Sequence, residues 1–229
     1  RLATGGKWFI STVNAFHGKS MGAISMGGKA AYREDYIPMI QQVQHVEYGN
    51  AEATRAAVKN LTAVGEKVAG IIVEPIQGEG GVIIPPDGYM AELRAICDEY
   101  GCCLIADEIQ TGFGRTGEWF RVNHDGVTPD IMTFGKATSG GVVPITGIVA
   151  RPWTYEQSGI GTGETGKMFS NPWILGSPTF GGNPLACSAM IATIKYMIEN
   201  DIPGQMKEKG DYYLAGLAKL QEKYPTVLK

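Results

Sequence analysis

"CCLIADEIQTGFGRTG", residues 102–117, changes character halfway along. Five of its first six residues are apolar, then Asp107 and Glu108 arrive together where a glycine-broken loop begins. A surface hairpin would alternate polar and apolar positions, and this run does not. It reads as a strand covered on both faces, of the kind found in parallel sheets. Its acids admit two readings. Either the strand end emerges into water and takes its acids with it, or a carboxylate is held at the carboxyl end of a central strand to meet a ligand.

The neighbouring segments support a parallel sheet. "KWFISTVNAF", "VQHVEY", "VAGIIVEPI", "DIMTFGK" and "ITGIVAR" are further short, apolar, β-branched runs and read as strands. Between them "NAEATRAAVKNLTAVGE" and "DGYMAELRAICDEYG" have helical period, the second closed by Gly101. Strands alternating with helices of this length require crossover connections, so the expected fold is α/β, with a mostly parallel sheet covered by helices. The last third is expected to be helical. Asn183 and Pro184 open one long helix, and "PGQMKEKGDYYLAGLAKLQEKY" forms another. Residues 1–182 are read as the central part of a large domain, and 183–229 as helices leading towards a smaller one. A long glycine-rich stretch, 155–182, separates them.

Bulk properties narrow the function classes. The 229 residues carry a net charge of −3 with no basic block, which argues against nucleic-acid binding. No apolar run approaches the length of a membrane span, and no signal-peptide layout opens the chain. The four cysteines, at 97, 102, 103 and 187, form no C-x-x-C pair and read as buried free thiols in a reducing cytoplasm. The three histidines make no metal-ligand spacing. The chain opens on Arg1 almost directly into a strand, and reads as a piece of a longer protein.

Three polar signals sit at the ends of three strands: Glu74 with Glu79 after "IIV", Asp107 after "LIA", and Lys136 after "IMTFG". Each alone is an ordinary solvated charge. Together they fall on the carboxyl edge of one sheet, where α/β proteins bind ligands. A lysine there, among small residues, is a candidate amine nucleophile if desolvated. An acid on another strand is a candidate partner for a cationic ring nitrogen.

"EPIQGEGGV", "ADEIQTGFGRTG", "FGKATSGG" and "TFGGNPLA", in this order, resemble the class III pyridoxal-phosphate aminotransferases of fold type I, and "NAFHGKSMGA" is similar to the block that precedes them. The resemblance implies pyridoxal 5'-phosphate as cofactor, bound by Lys136 as an aldimine, with Asp107 at the pyridinium nitrogen. It implies Phe16 and Ile109 packed on the ring and Gln110 near the ring hydroxyl. Thr179 would bind the phosphate of a neighbouring subunit's cofactor, which implies a homodimer with sites at the interface. Glu79 would serve the substrate, while Glu74 and His17 would support the site from behind. No metal is implied. The implied reaction transfers an amino group from an amine to a 2-oxo acid. "GVIIPPDGYM" and "IPGQMKEKGDYYL" look most like putrescine (diamine) aminotransferases. Acetylornithine, ornithine or other ω-amino-acid aminotransferases, and aminomutases, are the alternatives. The same resemblance places the phosphate-cradling turn before Arg1 and the small domain after Lys229.

Overall fold

The computed structural model describes residues 1–156 and 179–225, so most of the glycine-rich stretch 155–182 lies outside the described residues. Six strands form one sheet: β1 (Trp8–Thr12), β2 (Val43–Val46), β3 (Val68–Val73), β4 (Cys103–Asp107), β5 (Ile131–Phe134) and β6 (Gly147–Ala150). Their order is β2-β1-β3-β4-β5-β6. The first five are mutually parallel, and β6 is antiparallel to β5 at the edge. All six expected strands are present, and "mostly parallel" describes the result.

The helices are α1 (Met21–Met26), α2 (Ala51–Ala63), α3 (Tyr89–Tyr100), α4 (Pro152–Glu156), α5 (Pro184–Glu199) and α6 (Ile202–Lys223). Local chemistry sets several of their ends. The Asn50 side chain accepts from Ala53 N at the start of α2, and Gly101 closes α3 in the left-handed conformation. Asn183 accepts from Leu185 N and Ala186 N, with Pro184 opening α5. Every residue of β3 is buried. Ile10, Ile71 and Leu104 of the sheet pack with Val58 of α2 and Leu93 and Ile96 of α3 in the principal core. This is why the central strands read as unbroken apolar runs rather than alternating ones. Free thiols Cys97, Cys102 and Cys103 are buried, while Cys187 is half-buried. No described helix is long and apolar enough to cross a membrane. On α5, Ile191 and Ile198 are exposed, whereas Ile194 is half-buried.

The strand order matters for the site. After β1 the chain moves to β2 on one side, then returns to place β3 on the other side of β1. That reversal opens a crevice at the carboxyl ends of β1 and β3, beside β4.

The acids of residues 107 and 108 part company at the end of β4. Glu108 is fully buried and turns into the protein. Its Oε1 accepts from Val122 N at 2.9 Å, and its Oε2 accepts from the Thr111 hydroxyl. Burial pushes the Glu108 carboxyl above its ordinary range, and those donors pull it back. Glu108 therefore ties the 111–122 loop to the strand. Glu108→Ala leaves two buried donors unpaired and is expected to lower the unfolding free energy by about 3 kcal/mol in denaturant melts. Glu108→Gln should lose less than half as much, because its amide oxygen still accepts. Equal melting of the two variants would show that the tie is not the acid's contribution.

Candidate active site

The loops after β1, β3, β4 and β5 meet around a cleft of about 210 Å³ lined by Phe16, His17, Gly18, Glu74, Asp107, Ile109, Gln110 and Lys136. Seven of these are side chains with their own chemistry or packing surface, and they come from four separate loops.

Asp107 ends β4 with its carboxylate 6% exposed as a residue. Its Oδ1 accepts from Thr133 Oγ1 at 2.9 Å and from Ile109 N at 3.2 Å. Its Oδ2 accepts from His17 Nδ1 at 2.8 Å. A buried carboxylate needs such partners, since an unpaired one would lose its hydration without return. Thr133 reaches it because it lies directly opposite Asp107 in the β4–β5 register. The His17 side chain is only 2% exposed, and among the described residues its buried Nε2 has no partner. Sequence reasoning gave His17 a supporting place and missed the direct pair. It missed Thr133 altogether, although a lone hydroxyl in "IMTF" was the available signal.

Glu74 leaves β3 and is 5% exposed. Its Oε1 accepts from Phe16 N at 2.9 Å, and its Oε2 accepts from Gly78 N at 3.1 Å. Burial raises the Glu74 carboxyl, and the Phe16 and Gly78 amides oppose that shift. One side chain thus joins the β1 loop to the β3 loop. Phe16 is half-buried, and its ring meets Tyr32 edge to face at 5.6 Å between centroids.

Lys136 follows β5 and starts a short 3-10 turn, Lys136–Ser139, against which α5 packs. Its φ is +48°, in the left-handed region that side chains seldom occupy. Such conformations persist where surrounding structure imposes them, often at functional positions. Its Nζ donates to Gln110 Oε1 at 3.0 Å. The expected desolvation is not found. Lys136 lines the cleft yet is exposed as a residue.

Two carried-over residues stand apart. Glu79 is exposed and does not line the cleft; its Oε2 accepts from Tyr32 OH at 3.3 Å. Thr179 is exposed before α5 and is likewise not a lining residue. Arg115 is exposed and makes no ion pair among the described residues. It borders a second cavity, of about 460 Å³, that shares Gln110 and Lys136 with the first. Among the described residues no cluster of potential metal ligands occurs.

Comparison with known proteins supplies a family. The family model described as Aminotransferase class-III matches residues 3–229. The chain is similar to the solved ornithine aminotransferase of Toxoplasma gondii ME49, at 31% identity and a TM-score of 0.77, over 91% of this chain and 45% of that one. It is similar to a transaminase from the marine bacterium Virgibacillus, at 31% identity and 0.82, over 94% and 48%. It is similar to an amine transaminase from an uncultivated Pseudomonas species in its PLP-bound form, at 30% and 0.85, over 98% and 53%. The chain therefore spans about half the length of the structures it matches.

Gly78 shows how tightly the cleft is assembled. A Cβ there would lie 2.1 Å from Gln110 Oε1, so only glycine lets that amide rest on the β3 loop. Gly78→Ala is expected to displace Gln110 and break its bond with Lys136. A crystal structure of the variant should show Nζ and Oε1 separated beyond roughly 3.5 Å. An unmoved Gln110 would refute this.

Proposed function

Because the chain belongs to the class-III aminotransferases, we propose that the full-length protein moves the amino group of a terminal amine, putrescine or a similar diamine, onto a 2-oxo acid. The observation that carries this reading is the convergence of Lys136, Asp107, Phe16, Ile109 and Gln110 on one cleft at the carboxyl edge of the sheet. Pyridoxal 5'-phosphate is the cofactor of the PLP-bound neighbour, and the donor set of the cleft suits it. The cleft holds one amine, two buried carboxylates, an amide, an imidazole and two apolar side chains, and among the described residues His17 Nε2 has no partner.

When bound, the cofactor supplies an electron sink for a substrate carbanion. Asp107 would hold a proton on the ring nitrogen, its charge kept in place by His17, Thr133 and the Ile109 amide. Phe16 and Ile109 would give the flat ring apolar surface, and Gln110 would reach its hydroxyl. Among the described residues Lys136 is the one amine of the cleft, and its neutral form is both a nucleophile for a carbonyl and a base that takes and returns a proton at Nζ. Its exposed Nζ in the single chain fits a site that a second subunit completes, with Thr179 meeting the phosphate of the partner's cofactor. Glu79, standing outside the cleft, would meet the distal ammonium of a long amine rather than its reacting nitrogen. Residues 183–229 would lead towards a smaller domain, and the enzyme would be cytoplasmic. A second reading, an ornithine-type ω-amino-acid aminotransferase, is favoured by the likeness to the Toxoplasma ornithine aminotransferase.

Reduction with borohydride followed by peptide mapping should place the cofactor on Lys136, and Lys136→Ala should retain the fold but lose turnover. Modification of another lysine would sink the assignment. Asp107→Asn keeps the shape and removes the charge, so kcat should fall about 10²-fold or more. A near-normal rate would make the carboxylate structural only. Among donors assayed with 2-oxoglutarate or pyruvate, putrescine or cadaverine should exceed ornithine in kcat/KM. Better turnover of ornithine or acetylornithine would select the second reading.

A further inference from the structure

Tyr32 sits outside the cleft, in a short 3-10 turn, Ala30–Tyr32, and nothing in its sequence surroundings marks it. Its contacts do. The edge-to-face meeting of its ring with Phe16 was noted above; its hydroxyl donates to Glu79 Oε2. Two ammonium groups lie over the same ring, Lys19 Nζ at 5.2 Å and Lys29 Nζ at 5.1 Å from its centroid. Lys29 Nζ also donates to the Glu79 carbonyl at 2.9 Å. The ring is thereby pinned by cation–π attraction while its two ends touch two different loops.

We propose that Tyr32 is a positioning residue that couples the ring-covering Phe16 to Glu79, and so sets discrimination for the charge on the far end of the substrate; this rests on the amine-transfer reading above. The two loops it joins are the ones that Glu74 joins from the sheet side through Phe16 N and Gly78 N. Glu74 fixes their backbones. Tyr32 fixes the side chains that those backbones present. Without the hydroxyl, Glu79 keeps its backbone tether to Lys29 but its carboxylate turns freely, and the ammoniums of Lys19 and Lys29 over the Tyr32 ring become competing charges. Without the ring, Phe16 loses its lateral support and swings over the cleft.

The two roles separate in two variants of the full-length protein. Tyr32→Phe keeps the ring and removes the hydroxyl; Tyr32→Leu removes both. Titration of the apoenzyme with pyridoxal 5'-phosphate, followed by fluorescence, reads the Phe16 role without turnover. Affinity should fall about tenfold in Tyr32→Leu and stay within about twofold of wild type in Tyr32→Phe. The ratio of kcat/KM for putrescine over butylamine, which lacks the distal ammonium, reads the Glu79 role. It should fall about threefold to tenfold in both variants, through KM for putrescine. Equal affinity loss in the two variants, or an unchanged ratio in Tyr32→Phe, overturns the proposal. So does a fall in melting temperature alone. If wild type prefers ornithine or acetylornithine, the diamine reading falls, and the ratio is taken with that donor against butylamine. The cofactor titration decides the Phe16 role in either case.

Discussion

The pairing of Asp107 with His17 is the constraint around which this site is built. A carboxylate at the end of a central strand, nearly sealed from water, has to recover the hydration it gave up. It does so through three donors that no single segment could supply: His17 from the loop after β1, Thr133 from β5 and the Ile109 amide from its own turn. Meeting that demand fixes the loop after β1 and the turn after β4 against strand β5 before any ligand enters. It also keeps the carboxylate at the cleft, with a ring nitrogen of His17 that has no partner among the described residues.

Two more buried carboxylates extend the same device. Glu74 spends its oxygens on the Phe16 and Gly78 amides, and Glu108 spends its own on Val122 N and the Thr111 hydroxyl. Bonds from N–H and O–H groups to a buried carboxylate are stronger than neutral ones, and breaking either end leaves an unpaired polar group. The loops at the carboxyl edge of the sheet are thus tied by acids as well as by apolar packing such as Phe113 on Phe120 and Phe134. Lys136 keeps a left-handed backbone, at a cost on the order of 1 kcal/mol, in a turn held by the Thr138 hydroxyl on Gly135 O and by α5 packed against it.

The strands and long helices were legible in the sequence because their signals are local. Unbroken apolar runs such as "VAGIIV", caps such as Asn183–Pro184 and the closing Gly101 act within a few residues of themselves. The presence of Asp107, Glu74, Lys136, Phe16, Ile109 and Gln110 near one sheet edge was legible too, through strand ends and the resemblance of whole motifs. The pairing of His17 with Asp107 was not, since 90 positions separate them. Nor were the exposure of Lys136 and the outward placement of Glu79, because both depend on how neighbouring loops stack.

By itself, then, the sequence determined an α/β chain with its reactive side chains at strand ends, because hydrophobic period and capping are properties of contiguous residues. Tertiary structure alone decided what each acid of the pair 107 and 108 is bonded to. The β4 strand delivers both to its end; the β5 register brings Thr133 to Asp107, while the returning loop brings Val122 to Glu108. The choice belongs to partners that are distant in the chain and adjacent only when the sheet is assembled.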